Sequence, residues 1–144
     1  MTQILLTFDI LEYLPTDFKY DDFSFIFSSE SKDFDQEISY LNINKIFHRK
    51  NLTKKDIKYS IKVTKNGSLL GLSDLTIPQS IISKRENIYD KICQINMTDS
   101  IRRILFGNPQ ANISLKINVH VTLQYKEKTI NKSNNAQKKT IIFI

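Results

Sequence analysis

Apolar and polar side chains alternate along several short stretches of this chain. Alternation with a period of two is typical of a β-strand that buries one face and exposes the other. The pattern predicts strands over residues 4–10, 23–27, 57–63 and 115–123. A weaker extended segment is expected over residues 38–47, with Ile43 and Phe47 as its core contacts.

Turn-forming residues separate these strands. Pro15 and Asp17 end the first strand, because proline lacks the N–H that a strand ladder needs and aspartate bonds the local backbone. The polar residues 28–37 are expected to be a connection. Asn66-Gly67 predicts a type I′ turn, after which residues 68–77 return as the second strand of a β-hairpin.

The stretch between this hairpin and the last long strand gives mixed signals. Residues 79–95 are expected to begin as a polar turn or short helix and to continue as a strand. Thr98 offers a side-chain oxygen to a helix N-terminus, and Gly107 offers a helix stop. A two-turn helix is therefore expected between them.

Several short strands without strand–helix alternation predict an all-β fold. The expected architecture is an antiparallel β-sandwich of about eight strands, with one or two short helices in its loops. Residues 1–128 are assigned to this domain, since 144 residues fall within the usual range for one core. Residues 129–144 are assigned to a polar linker with a terminal apolar segment, either an extra strand or the start of a longer region.

Cysteine usage and hydropathy bear on location. The single Cys93 cannot form an internal disulfide, and residues 1–3 lack the basic start of a secretory signal. No apolar run approaches the roughly 20 residues that a membrane-spanning helix needs. These features predict an intracellular, cytoplasmic protein.

Several short motifs carry a family resemblance. In chain order they are Leu14-Pro15 with Asp17, Asp21-Asp22-Phe23-Ser24-Phe25, the alternating residues 57–63, Leu70-Gly71, Leu75-Thr76-Ile77-Pro78 and the closing run 115–123. Together they resemble a C2 domain, an eight-stranded β-sandwich, over roughly residues 3–126. The resemblance implies a binding domain without catalytic activity.

The chain departs from the calcium-binding members of that family. Those members carry paired aspartates after the strand that residues 57–63 resemble, because a hard divalent cation needs several carboxylate oxygens. Here that position reads Thr64-Lys65-Asn66-Gly67, which implies a calcium-independent type with no metal and no cofactor. Asp17 and Asp22 are interpreted as turn and strand-end residues. The lysine-rich composition is similar to that of C2 domains in centriolar and ciliary scaffold proteins, which implies a cytoskeletal, centriolar or ciliary location.

The formal net charge of +6 favours acidic partners, although a compositional bias toward lysine would produce the same charge. Basic residues concentrate between residues 45 and 65, close to His48. They are predicted to form one patch that binds a partner or lipid: Lys45, Arg49, Lys50, Lys54, Lys55, Lys58, Lys62 and Lys65. The patch resembles the face on which some C2 domains hold phosphoinositides, and each cation near an anionic membrane contributes about 1 kcal/mol. The alternative is a solvated strand face that Asp56 partly neutralises.

The sequence contains two further candidate sites. Leu14, Pro15 and Phe18 form a candidate membrane-facing loop, with closure of one end of the sandwich as the alternative. Cys93 and His120 lack the sequence context of a nucleophile and its base, so enzyme activity is not expected.

The preferred hypothesis is a non-catalytic C2-like module of a larger scaffold protein that docks on an acidic protein surface. Peripheral binding to anionic phospholipids or phosphoinositides through the lysine-rich strand face is the alternative. Nucleic-acid binding ranks third, because the aromatic residues fall mainly on predicted buried faces rather than on exposed stacking platforms.

Overall fold

The computed structural model describes residues 2–40, 45–84, 86–126 and 140–142. Along these residues the chain forms nine strands and two short helices. In chain order they are β1 (Thr2–Leu14), β2 (Phe23–Ser29), β3 (Asp35–Ser39), β4 (Lys45–Asn51), β5 (Ile57–Lys65), β6 (Ser68–Ile77), α1 (Gln79–Ile82), β7 (Glu86–Gln94), α2 (Asp99–Phe106), β8 (Ser114–Lys126) and β9 (Thr140–Ile142).

The strands form two antiparallel sheets that face each other. The first sheet has the order β4-β1-β8-β7, and β9 also pairs with β8. The second sheet has the order β3-β2-β5-β6. The predicted all-β antiparallel sandwich with short helices in its loops is therefore confirmed. No helix within the described ranges has the length and apolar character needed to cross a membrane.

Alternation along each strand builds the core between the sheets. Along β5 the side chains of Ile57, Tyr59, Ile61 and Val63 are buried, as the period-two pattern predicts. Phe8 of β1 contacts the second sheet directly, because its ring lies 4.9 Å from that of Tyr59 in a T-shaped arrangement. The two sheets thus share one aromatic and aliphatic core.

The turn residues behave as their chemistry predicts. Asn66 and Gly67 both have positive φ, at 51° and 85°, which is the condition for the predicted β5–β6 hairpin turn. The Thr98 side chain accepts a hydrogen bond from the N–H of Ile101, and Gly107 ends α2 in the left-handed conformation. The predicted short helix before a strand is also confirmed as α1 and β7.

Two expectations for residues 28–47 were wrong. The predicted connection over residues 28–37 contains the start of β3, which the alternation did not reveal because only Ile38 of this strand is buried. Phe47 was predicted to be a core contact, but 53% of it is exposed, since Ile46 and His48 occupy the inward positions of β4. A shift of one residue moves a side chain to the other face of a sheet. Ile43 lies outside the described residues.

Of residues 129–144, the structure describes only 140–142. Residues 129–139 of the predicted polar linker lie outside the described residues. Thr140–Ile142 pair with Gln124–Lys126 of β8, so the terminal apolar segment contributes a strand to the first sheet.

Candidate functional site

The predicted basic patch is divided between the two sheets. Lys45 and Arg49 are exposed and alternate with buried residues of β4, so they lie on the outer face of the first sheet. Lys58 and Lys62 alternate with buried residues of β5 and lie on the outer face of the second sheet. These two pairs of cations therefore occupy opposite faces of the sandwich.

The remaining basic residues do not all follow this division, because Lys50 shares the inward phase of Ile46 and His48 and lines a small pocket with Lys58. Lys50 lies near the end of β4, and Lys54 and Lys55 are exposed in the loop between β4 and β5. Lys65 lies at the far end of β5, where its Nζ is 5.8 Å from the ring centroid of Phe23. Basic residues thus cluster along β4 and its following loop, and we call this set the β4 basic edge: Lys45, Arg49, Lys50, Lys54 and Lys55.

Most cations of the β4 basic edge are not neutralised by an ion pair. Lys45 Nζ lies 3.5 Å from Asp9 Oδ1. Arg49 instead donates a hydrogen bond from Nε to the neutral Gln124 Oε1 at 3.0 Å, so its charge stays available. Within the described parts of the chain, no ion pair shorter than 4.0 Å involves Arg49, Lys50, Lys54 or Lys55. Asp56 Oδ1 accepts a hydrogen bond from the backbone N–H of Gln79, and Asp56 forms no ion pair shorter than 4.0 Å with a described cation.

β4 is also an edge strand with an exposed aromatic side chain. Among the described strands it pairs only with β1. Phe47 lies between Lys45 and Arg49 on the same outer face, and 53% of it is exposed. An apolar ring between two cations gives this edge both hydrophobic and electrostatic binding capacity.

The second-sheet lysines line a cleft of about 730 Å³. Lys32, Lys58 and Lys62 contribute three cations to its walls, while Glu30, Asp35 and Asp74 contribute three carboxylates. The hydroxyl groups of Ser28, Ser60 and Thr76 complete much of its polar surface. The cleft is therefore polar but balanced in formal charge, in contrast to the β4 basic edge.

The candidate membrane-facing loop packs against the protein. Leu14, Pro15 and Phe18 are each only partly exposed. The Phe18 ring lies 5.1 Å from Tyr20, 5.8 Å from Phe23 and 4.7 Å from Phe106, measured between ring centroids. This geometry favours closure of the end of the sandwich over insertion into a bilayer. The contact with Phe106 joins the loop to α2.

The same end of the sandwich contains residues 64–67, where the sequence predicts no calcium ligands. The backbone N–H of Asn66 donates to the carbonyl of Asp22 at 3.2 Å, so the two loops meet. Lys65 occupies this region with its charge over Phe23. The described residues contain no group of three histidine, cysteine or acidic side chains arranged to hold a metal ion.

A partly buried polar cluster, which the sequence pattern did not reveal, connects β4 to the second sheet. His48 Nδ1 lies 2.8 Å from the hydroxyl of Tyr59, and His48 Nε2 lies 3.6 Å from Asp33 Oδ1. The Phe34 ring stacks on the imidazole with 4.3 Å between centroids. Hydrogen bonds from Ser29 and Ser31 hold the pKa of the Asp33 carboxyl at about 2, so it is ionised at neutral pH.

This cluster makes stability depend on pH. Burial lowers the pKa of His48 below its ordinary 6.5; Asp33 opposes the shift and Lys50 adds to it. The unfolded chain therefore takes up a proton near pH 6.5 while the folded protein still excludes it. The stabilisation is complete above pH 6.5 and is lost as the pH falls from 6.5 toward the lowered pKa. Urea unfolding at several pH values between about 7.5 and 5.5 should show a decrease of at most about 1.4 kcal/mol per pH unit from this group.

The control for this pH dependence is His48→Gln, which cannot gain a proton in this range. Its free energy of unfolding should change less between the same pH values, while His120 remains in both proteins. Equal slopes for the two proteins would contradict a destabilising protonation of His48.

Cys93 and His120 do not form a reactive pair. Cys93 is buried, whereas His120 pairs with the exposed Ile88 on the other face of the first sheet. Burial raises the pKa of the Cys93 thiol to about 11, so the thiolate is scarce at neutral pH.

No protein-family model matches this chain, and no curated protein matches it.

Proposed function

We propose that this domain is a non-catalytic, calcium-independent, C2-like interaction module that docks on an acidic protein surface through the β4 basic edge. The observation that carries the proposal is the concentration of five cations along an edge strand and its following loop, of which only Lys45 has an ion-pair partner among the described residues. Its place within a larger intracellular scaffold protein, of the centriolar or ciliary kind, rests on the family resemblance alone.

The chemistry of this edge suits an acidic protein better than a small ligand. Lys45, Arg49, Lys54 and Lys55 are exposed along a strand and loop rather than gathered in a cavity. Exposed ion pairs contribute roughly 0.2–1 kcal/mol each, so several contacts would give weak binding that decreases as salt increases. Phe47 adds apolar surface that a partner could bury.

Peripheral membrane binding is the second candidate function, because Lys58 and Lys62 line the cleft of the second sheet. It ranks lower because Glu30, Asp35 and Asp74 face the same cleft and would repel a phosphoinositide headgroup. Lys45 and Arg49 lie on the opposite face of the sandwich and cannot reinforce this cleft, whereas Lys50 lines a smaller pocket together with Lys58. Nucleic-acid binding stays third, since Phe47 is the only strongly exposed ring among the aromatic residues whose burial the structure describes.

Matched charge reversals test the proposal on the full chain. Binding would be measured by titration calorimetry with poly-L-glutamate, and by flotation with neutral vesicles and vesicles containing phosphatidylinositol bisphosphate, at low and near-physiological salt. The double variant Lys45→Glu with Arg49→Glu should bind poly-L-glutamate about tenfold more weakly, whereas Lys58→Glu with Lys62→Glu should change it little. Binding to vesicles should be weak and insensitive to calcium.

One result would contradict docking through the β4 basic edge. Loss of phosphoinositide-dependent flotation in the Lys58→Glu, Lys62→Glu protein, with normal binding by the β4 variant, would establish the membrane alternative. Thermal unfolding of each variant checks that the charge reversals leave the fold intact, since Arg49 also bonds Gln124.

A further inference from the structure

We infer that β4 receives an extended acidic segment of the partner as an additional β-strand, in which an apolar residue lies two positions from an acidic residue on either side. This inference rests on the proposed function and specifies the partner's local chemistry and binding geometry. It would place the partner segment beside the outer edge of the first sheet.

The hydrogen-bonding phase of β4 identifies the groups that are open to a new strand. The N–H of Leu52 donates to the carbonyl of Thr2 at 3.2 Å, just beyond the strand pair. In an antiparallel pair, residues directed toward the partner strand alternate with residues directed away from it. Counting back by twos, the backbones of His48 and Ile46 face β1, and those of Lys45, Phe47 and Arg49 face the free edge.

The free backbone groups and the outward side chains of β4 belong to the same residues. The residues whose N–H and C=O groups face the free edge are also those whose side chains lie on the outer face. A residue opposite each of them in an added strand would project onto that same face. Lys45 and Arg49 favour carboxylates in the flanking positions, and Phe47 favours an apolar side chain in the middle. The partner pattern is acidic, any, apolar, any, acidic.

The same charges disfavour pairing between two copies of this chain. A symmetric antiparallel pair centred on Phe47 would place Lys45 of one copy directly opposite Arg49 of the other. Like charges at directly opposed positions destabilise a sheet, and lysines on edge strands oppose self-association in this way. A carboxylate-bearing segment reverses the sign of both contacts. The edge is thus selective for a different chain.

The local packing makes β4 a firm template. Ile46 and His48 are buried on its inner face, and the Tyr59 hydroxyl lies 2.8 Å from the His48 ring. A partner strand would therefore meet an ordered edge and would not need to order β4 first, which lowers the entropic cost of binding. β-strand addition obtains affinity from main-chain hydrogen bonds and specificity from alternate side chains.

The test compares three capped peptides on the intact protein. The first has the sequence Ser-Glu-Thr-Val-Thr-Glu-Ser. The second is identical but carries N-methyl groups on both glutamates and the valine, which removes their N–H donors and preserves the charge. The third contains the same residues with the glutamates adjacent, which breaks the spacing. Affinity is measured by calorimetry at low salt, and amide exchange is measured by NMR on the labelled protein.

The first peptide should bind at least about tenfold more tightly than the other two. It should also slow exchange at the amides of Lys45, Phe47 and Arg49, whereas those of Ile46 and His48 are already protected in the free protein. Phe47→Ala should weaken the first peptide several-fold without affecting poly-L-glutamate to the same extent.

Failure of this inference differs from failure of the proposed function. If all three peptides bind alike without slowing those amides, strand addition is overturned, but acidic docking stands. If poly-L-glutamate binds and no peptide does, the pairing geometry is again overturned. If neither the peptides nor poly-L-glutamate binds at low salt, the acidic-docking proposal fails with it.

Discussion

Replacing Phe8 with alanine is expected to lower the free energy of unfolding by about 3–5 kcal/mol. Phe8 is fully buried on β1, between β4 and β8 in the first sheet. Its ring contacts Tyr59 at 4.9 Å and Phe27 at 6.2 Å between centroids, so it joins the two sheets at their centre. Alanine would remove most of the apolar surface that Phe8 buries and would leave a cavity that the surrounding strands can close only in part. Urea unfolding monitored by circular dichroism measures the change.

Ile88→Ala is the matched control for this prediction. Ile88 also lies in the first sheet, but 60% of it is exposed, so its truncation should change the free energy of unfolding by no more than about 0.5 kcal/mol. A loss below about 1 kcal/mol for Phe8→Ala would contradict a core in which the two sheets pack through this ring.

Strands with one clearly buried face were predictable from the sequence. In β2, β5 and the first part of β8, buried residues recur at every second position, and the residues between them are more exposed and mostly polar. The Asn66-Gly67 turn was equally predictable, because positive φ at two successive positions is a local requirement. These signals depend on neighbours along the chain and need no knowledge of the other sheet.

The candidate site was less predictable because its parts come from different sheets. The sequence predicted one basic patch that contains Lys45, Arg49, Lys58 and Lys62. The structure divides these residues, because β4 belongs to the first sheet and β5 to the second. Alternation in β4 is weak, since it depends on Ile46 and on a histidine. His48 is buried where Tyr59 of the second sheet and Asp33 of the β2–β3 loop contact its two ring nitrogens.

The inner and outer faces of β4 therefore have different roles. Ile46 and His48 pack inward and fix the strand, whereas the ring of Phe47 is largely exposed on the outer face and Arg49 has no ion-pair partner among the described residues. Exposed apolar side chains that occur singly need no explanation. Here, however, the ring lies between cations on an edge strand, and this combination is what directs the proposal toward an acidic, extended partner.

Replacing Gly71 with alanine is expected to destabilise the protein by about 1–3 kcal/mol, although only one methyl group is added. A Cβ at this position would lie 2.6 Å from Ile95 Cγ2, 2.7 Å from the carbonyl oxygen of Asn96 and 2.8 Å from Met97 Cγ. The carbonyl cannot move freely, because Leu72 and Asn96 exchange two backbone hydrogen bonds beside it. The added methyl must therefore shift the backbone where β6 meets the segment after β7.

The control for Gly71→Ala is Leu69→Ala in the same strand, which removes apolar atoms from a side chain that is 53% exposed. This control should change the free energy of unfolding by about 0.5 kcal/mol or less. Urea unfolding of both variants separates a steric effect at Gly71 from a general sensitivity of β6. If Gly71→Ala is as stable as the parent protein, β6 and residues 95–97 cannot be in such close contact, and the junction that connects the two sheets at this edge would need a different packing.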